Sequence, residues 1–230
     1  MLKLDNCTIA NSNFLLRADL EIEAGTSVAI IGPSGAGKST LLETIAGFRD
    51  LKSGQIFWKG DDLTARPPGK RPLAMLFQDG NLFPHLSAEQ NVALGLRPNG
   101  GLSQDDLKQV RSALGRVGLP DMGARKPADL SGGQQSRVAL ARILVQKRQV
   151  LLLDEPFAAL GPALKVEMLD LVADLIAETQ TTLLMVSHDP QDALRITEKT
   201  VLVADQIAHP PIATAQLFEN PPPALRDYLG

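Results

Sequence analysis

Short runs of apolar residues mark the strands that this sequence predicts. The runs over 27–31, 150–153 and 181–186 are apolar or β-branched at almost every position. Such runs are typical of strands that are covered on both faces of a parallel sheet. A fourth, shorter run predicts another strand over 201–203.

Helical patterns follow two of these runs. Apolar residues recur at helical spacing after Lys38 and stop at Gly47, a residue type that commonly ends a helix. Pro162 suits the first turn of a second helix, whose apolar stripe reaches Ile176. Strands that alternate with helices predict an α/β fold with a mainly parallel sheet.

Other segments predict additions to this core. Period-two alternation over 2–4, 20–23 and 55–59 indicates an antiparallel β layer that is half exposed. The proline-containing segment from His209 onward predicts an irregular tail with one short helix. Within a single domain over 1–230 we expect the α/β core with its antiparallel layer over 1–86 and 145–208, a helical insertion over 87–144 and the C-terminal tail over 209–230.

Composition narrows the class of protein. A hydrophobic content of 44% with 21% charged residues is ordinary for a soluble globular protein. The net charge of −3 argues against a general nucleic-acid binder. The single cysteine, Cys7, excludes an internal disulfide. No secretory signal is visible, and no apolar run approaches the roughly 20 residues of a spanning helix, so we expect that the chain does not cross a membrane.

A phosphate-binding loop follows the first buried strand. Residues 32–39 match the pattern GxxxxGK(S/T) without a mismatch, and the flanking strand and helix favour this interpretation over an ordinary glycine-rich turn. Its glycines let backbone N–H groups turn toward a phosphate, and the helix adds its positive N-terminal end. We expect Lys38 to reach the β and γ phosphates and Ser39 to ligate Mg²⁺. The predicted ATP contacts here are Gly32, Pro33, Ser34, Gly35, Ala36, Gly37, Lys38, Ser39 and Thr40.

Two acids end the second buried strand. Beside a phosphate loop, Asp154 is placed to hold the water shell of Mg²⁺, and Glu155 to accept a proton from the attacking water. Taken alone, Asp-Glu-Pro often only caps the next helix. Together with the phosphate loop, these acids predict an ATPase.

A second candidate anion site lies far along the chain. Ser131, Gly132, Gly133 and Gln134, here called the Ser131 segment, precede a predicted helix. The segment could be a hinge with Ser131 as the helix cap. It could also offer free backbone donors at a helix N-terminus. Because one nucleotide does not need two such sites from one subunit, we expect a homodimer with ATP between the phosphate loop of one subunit and the Ser131 segment of the other.

In this order and spacing, the motifs resemble those of the ABC transporter ATPases. The resemblance covers nearly the whole chain and implies a P-loop (RecA-like) core. It implies that Gln78 ligates Mg²⁺ beside the nucleotide and links the site to the helical insertion. It also implies that His188 contacts the γ-phosphate and acts in catalysis with Lys38 and Glu155.

The same resemblance implies partners. The helical insertion is expected to dock on an integral membrane permease at the cytoplasmic face of the bacterial inner membrane, with a periplasmic solute-binding protein as an indirect partner. Residues 67–86 and 182–188 are most similar to ATPases of bacterial thiamine importers. Importers of iron, polyamines or sulfate are the alternatives. A soluble ABC ATPase would need long coiled-coil insertions or a second cassette, and a module without hydrolysis would have lost Lys38 or Glu155.

The sequence departs from the family pattern at three places. Only Phe14 is aromatic in the region where members stack a ring on adenine, which puts base stacking in doubt. Gly161 replaces the usual acid that crosses the dimer interface. Gln206 replaces a common turn glycine, and we interpret this as a different turn.

Overall fold

The computed structural model describes residues 1–11, 14–78 and 81–229. Its strands are β1 (Leu2–Asn11), β2 (Phe14–Ile22), β3 (Ser27–Ile31), β4 (Ser53–Trp58), β5 (Asp61–Asp62), β6 (Leu73–Leu76), β7 (Val150–Asp154), β8 (Thr182–Val186), β9 (Lys199–Ala204), β10 (Ile207–Ala208) and β11 (Ile212–Ala213). Its helices are α1 (Lys38–Ala46), α2 (Ala88–Ala93), α3 (Gln104–Arg116), α4 (Gly132–Leu144), α5 (Pro162–Thr179), α6 (Pro190–Ile196), α7 (Thr214–Glu219) and α8 (Pro223–Leu229). In this part of the chain, no helix is both long and apolar enough to cross a membrane.

The chain divides into two compact units. The first comprises Met1–Leu73, Gln149–Asp154 and Ala173–Gly230, and the second comprises Ala74–Arg148 and Glu155–Val172. The second unit therefore holds the helices of the expected insertion together with a segment that follows Asp154. The expected domain boundaries stay a prediction.

A mixed sheet builds the first unit, in the strand order β5-β4-β1-β2-β10-β9-β3-β8-β7. Strands β9, β3, β8 and β7 run parallel to one another, whereas β2, β1 and β4 pair antiparallel. β3 and β8 are buried at every residue, and β2 alternates between buried and exposed positions. The parallel core and the half-exposed antiparallel layer thus form where the periodicity of the sequence predicted them.

Cys7 lies in β1, 1% exposed. Its Sγ donates to the carbonyl oxygen of Gln55 at 3.2 Å, and burial raises the pKa of the thiol to about 11. The thiol is therefore protonated at physiological pH and acts as a small core residue.

The C-terminal segment is more regular than expected. It contains β11 and two helices, α7 and α8, instead of one short helix. Leu217 and Leu225 pack into a core cluster with Ile31 and Leu202. Helices of six and seven residues anchored by one such leucine each show too little periodicity to be recognised in the sequence.

In the second unit, a buried side chain holds the loop before α2. Asn91 on α2 is 0% exposed, and its amide oxygen accepts from the backbone N–H of Phe83 at 2.8 Å. Its amide nitrogen donates to the carbonyl oxygens of Phe83, Leu86 and Ser87 at 3.1, 3.2 and 3.0 Å. The ring of Phe83 is 47% exposed. We call this arrangement the Asn91 bracket.

Just beyond α2, the chain lies against α4. A Cβ built at Gly95 would overlap the carbonyl oxygen of Arg142 on α4. Only glycine allows the two backbones to lie this close.

Candidate functional site

The phosphate loop connects β3 to α1. A Cβ at Gly32 would overlap the carbonyl oxygen of Val203 on β9, so this position requires glycine. Gly35 and Gly37 have φ angles of 79° and 101°, which L side chains rarely adopt. Gly37, which has no side chain, occupies the N-cap of α1. The nine-residue helix α1 therefore starts at the loop without a side-chain cap for its N-terminal N–H groups, an arrangement that suits a phosphate.

Lys38, Ser39 and Asp154 come together at this loop. The Lys38 ammonium donates to the carbonyl oxygens of Gly32 and Pro33 at 2.8 and 3.0 Å, and the residue is 8% exposed. The Ser39 hydroxyl donates to Asp154 Oδ1 at 2.9 Å across 115 residues of sequence. A hydroxyl and a carboxylate, the oxygen donors that Mg²⁺ prefers, are thus already adjacent.

His188 follows β8, which lies between β3 and β7 in the sheet. Because these strands are parallel, His188 leaves the sheet at the same edge as the phosphate loop and Asp154. Its preceding residue, Ser187, is 4% exposed and donates from Oγ to Asp192 Oδ2 at 2.6 Å. This anchor was not predicted, although Asp189 before Pro190 is a helix-start signal that points to it.

Glu155 and Gln78 belong to the second unit. Glu155 follows Asp154 directly in the chain and has a φ of 45°, in the left-handed region. Non-glycine residues held there cluster at functional sites. Gln78 is exposed beyond the end of β6, next to residues 79 and 80, which lie outside the described part of the chain.

The Ser131 segment begins α4 as a capping box. Ser131 Oγ accepts from the backbone N–H of Gln134 at 3.3 Å, while Gln134 Oε1 accepts from the backbone N–H of Ser131 at 2.9 Å. The N–H groups of Ser131 and Gln134 are therefore occupied within the segment, as a helix cap requires, and its use as an anion site stays a prediction. A Cβ at Gly133 would overlap the Leu164 side chain on α5. A side chain at this position would therefore displace Leu164.

A cavity of about 550 Å³ lies beside the phosphate loop. Polar and apolar side chains of the first unit line it, among them Asn11, Phe14, Leu15, Lys52 and Gln206. Gln206 and Asp205 form the two-residue turn between β9 and β10, with φ angles of 62° and 51°. Gln206 thus adopts the left-handed conformation that glycine favours, and the expectation of a different turn stays a prediction.

The chain matches the family model for ABC transporters over residues 15–158, more than half of its length. The chain belongs to the ABC transporter family. The ABC match includes the phosphate loop, Gln78, the Ser131 segment and both acids, and it begins one residue after Phe14.

Relatives match this ABC chain over its whole length. It is 60% identical over 230 residues to a protein of Ruegeria sp. (strain TM1040) named Thiamine import ATP-binding protein ThiQ, with all of both chains covered. Proteins of the same name from Cereibacter sphaeroides and Brucella suis biovar 1 are 56% and 49% identical, each over all of this chain and over 100% and 95% of the relative.

A solved structure shares the fold of this ABC chain. The ATP-binding cassette MJ0796, described as a dimer in a post-hydrolysis state bound to ADP and Pi, matches with a TM-score of 0.80 and 29% identity. The match covers 93% of this chain and 99% of the other. The predicted family, fold class and ATPase class are confirmed.

Proposed function

We propose that this ABC ATPase hydrolyses ATP to drive the import of thiamine or its phosphates. The observation that carries the proposal is the full-length identity of 60% to a thiamine-import ATP-binding protein. Relatives of that name match across the entire chain, including the segments outside the family model. A similarity of this extent favours the thiamine importers over those for iron, polyamines or sulfate.

The phosphate loop supplies the nucleotide site in this proposal. The residues from Gly32 to Thr40 surround the triphosphate, and the Lys38 ammonium moves from the carbonyl oxygens that it now contacts to the β and γ phosphates. Mg²⁺ fits beside it, because Ser39 and Asp154 already place a hydroxyl and a carboxylate oxygen 2.9 Å apart. Gln78 is the third proposed ligand. The ion neutralises charge that develops on the phosphates.

Hydrolysis needs a base and a complete phosphate site. Glu155 takes the proton of the attacking water, and His188, anchored through Ser187, contacts the γ-phosphate. The Ser131 segment of a second copy completes the site from the opposite side, with the α4 N-terminus facing the nucleotide. The dimeric state described for MJ0796 supports this assembly.

A role in import implies two further partners, a membrane permease and a solute-binding protein. The homodimer binds an integral membrane permease at the cytoplasmic face of the inner membrane, and a periplasmic solute-binding protein delivers the substrate. The permease and the periplasmic protein contact the substrate, so the ATPase supplies energy rather than selectivity. The absence of a basic excess agrees with a complex that contains no nucleic acid.

Uptake of radiolabelled thiamine by a strain that lacks this gene tests the proposal. We expect high-affinity uptake to disappear and to return when the wild-type gene is supplied on a plasmid. A plasmid copy with Glu155→Gln should fail to restore uptake at equal protein abundance. Normal thiamine uptake in the deletion strain, with loss of iron, polyamine or sulfate uptake, would contradict the thiamine assignment while leaving the ATPase intact.

A further inference from the structure

Phe14 points its ring at the phosphate loop. A Cβ built at Gly37 would overlap Cζ of Phe14 and would lie 2.9 Å from its Cε2. The same Cβ would lie 3.4 Å from Cδ2 of Leu16, which is 0% exposed. The tip of the Phe14 ring and the Leu16 side chain therefore pack directly against the backbone of the α1 N-cap.

This contact bears on the part of the loop that orients the helix. Gly37 has φ 101° and ψ 21°, and a glycine in isolation samples this region and several others with little preference. The conformation of Gly37 sets the direction of the first N–H groups of α1 and the starting point of the Lys38 side chain. Phe14 is the first residue of β2 and pairs with Asn11 of β1, so the sheet fixes the position from which its ring extends.

The cavity beside the phosphate loop offers other side chains for contact with the nucleotide base. Phe14 shares this cavity with the polar side chains of Asn11, Lys52 and Gln206, while its ring tip is taken up by Gly37. The amide and ammonium groups can hydrogen-bond to any purine, since every base has acceptors at its edges.

We propose that Phe14 is a positioning residue for the triphosphate, which acts through Gly37 and contributes no stacking platform for the base. The ring limits the conformations of Gly37 and so keeps the phosphate loop competent before nucleotide arrives. The proposal rests on the nucleotide-binding role of this loop. It predicts that loss of the apolar bulk at this position weakens the binding of ATP and of a triphosphate without a base by the same factor.

Titration calorimetry of the full chain with MgATP and with magnesium tripolyphosphate distinguishes positioning of the triphosphate from stacking on the base. In Phe14→Ala, a fall of the competent loop population to roughly a tenth would raise both dissociation constants about tenfold. Phe14→Met refills the space with a flexible apolar side chain that has no ring, and we expect it to restore both affinities. A merely structural role would lower the melting temperature and leave both affinities, measured well below it, unchanged.

Leu15→Ala is the matched control, because Leu15 lines the same cavity on the neighbouring position of β2. We expect its tripolyphosphate affinity to equal that of the wild type. Weaker ATP binding in Phe14→Ala and Phe14→Met with unchanged tripolyphosphate binding would overturn the proposal and make Phe14 a base-stacking residue. Unchanged affinities for both ligands would overturn it as well. Binding of MgATP by the wild type is read separately, and its failure would contradict the proposed function itself.

Discussion

Glu155 combines a strained backbone with the acid that the chemistry needs. At a φ of 45° a non-glycine residue costs about 1–2 kcal/mol relative to the right-handed region. Glycine would relieve this cost, yet the chain keeps a carboxylate there. Asp205 and Gln206 share this conformation in an ordinary turn, so the proposed role of Glu155 rests on its position directly after Asp154 as well as on its strained backbone.

Glu155→Gln should bind MgATP and hardly hydrolyse it. The amide keeps the size of the side chain but cannot accept the proton of the attacking water, so turnover should fall by on the order of 10² to 10⁴. Phosphate release measures the rate, and sedimentation in MgATP should show accumulated dimer. Turnover near that of the wild type would place the base elsewhere.

Gln206→Gly should stabilise the first unit. The substitution creates Asp-Gly in a two-residue turn, the sequence that this turn favours, and removes a left-handed glutamine. The gain should be about 1 kcal/mol, because the αL cost exceeds the entropy cost of glycine by roughly that amount. Urea denaturation measures it. Gln206→Ala is the control, since it removes the same side chain but keeps the strained φ and should bring no gain.

Among the elements, α1 is fixed at both ends. Its N-terminus forms the phosphate loop, and beyond its C-terminus the buried guanidinium of Arg71 donates to the carbonyl oxygens of Thr44 and Ile45 at 3.0 and 2.7 Å. Arg71 also donates to the carbonyl oxygens of Thr64 and Arg66. Desolvation by burial lowers the pKa of Arg71, while the carboxylates of Asp50 and Asp62 favour its charge.

Arg71→Met should destabilise the protein strongly. Methionine fills part of the space but removes the donor of the carbonyl oxygens of Ile45, Thr64 and Arg66, whereas that of Thr44 keeps the N–H of Gly47. A buried oxygen left unpaired costs about 1–3 kcal/mol. The stability of Arg71→Lys should lie between those of the wild type and Arg71→Met, because an ammonium cannot reproduce the planar set of donors of a guanidinium. Urea midpoints of the three proteins give the order. Equal stability of the lysine variant and the wild type would show that the charge alone suffices.

Local patterns in the sequence predicted the helices and strands. Contacts between residues that are distant in sequence could not be predicted from such patterns. The phosphate loop, Asp154 and the buried strands were predictable, since each is written in fewer than ten consecutive residues. The Phe14–Gly37 contact joins residues from different elements, and no periodicity indicates it. The Ser187–Asp192 hydrogen bond spans only five positions, and the helix start at Asp189 is its local signal. The capping box at Ser131 was open to two interpretations, because the same Ser-x-x-Gln spacing serves a helix cap and an anion site.

For the whole molecule, Gly161 bears on assembly. It is exposed just before α5, and within the described part of the chain no atom lies within 4 Å of a Cβ built on it. A side chain therefore fits there without displacing its own subunit. The resemblance to ABC transporter ATPases implies an acid at this position that crosses the dimer interface, so we expect the isolated wild-type subunit to dimerise poorly and to show low basal ATPase activity.

Gly161→Asp should strengthen dimerisation in MgATP. A hydrogen bond to a charged group is worth about 1.5–3 kcal/mol, which would lower the dimer dissociation constant by about tenfold or more. Sedimentation velocity and the Hill slope of hydrolysis measure the effect. Gly161→Asn is the control, because it caps α5 as well as aspartate does but has no charge. Equal effects of the two substitutions would assign the gain to helix capping.

The Asn91 bracket has a mechanical consequence. A loop held at four backbone groups by one buried side chain resists bending, so a force applied to the exposed ring of Phe83 displaces α2 as well. Beyond α2, the backbone at Gly95 lies directly against α4, the helix that starts with the Ser131 segment. Within the second unit, we therefore expect a displacement of Phe83 to be transmitted to α2 and α4 with little deformation of the loop.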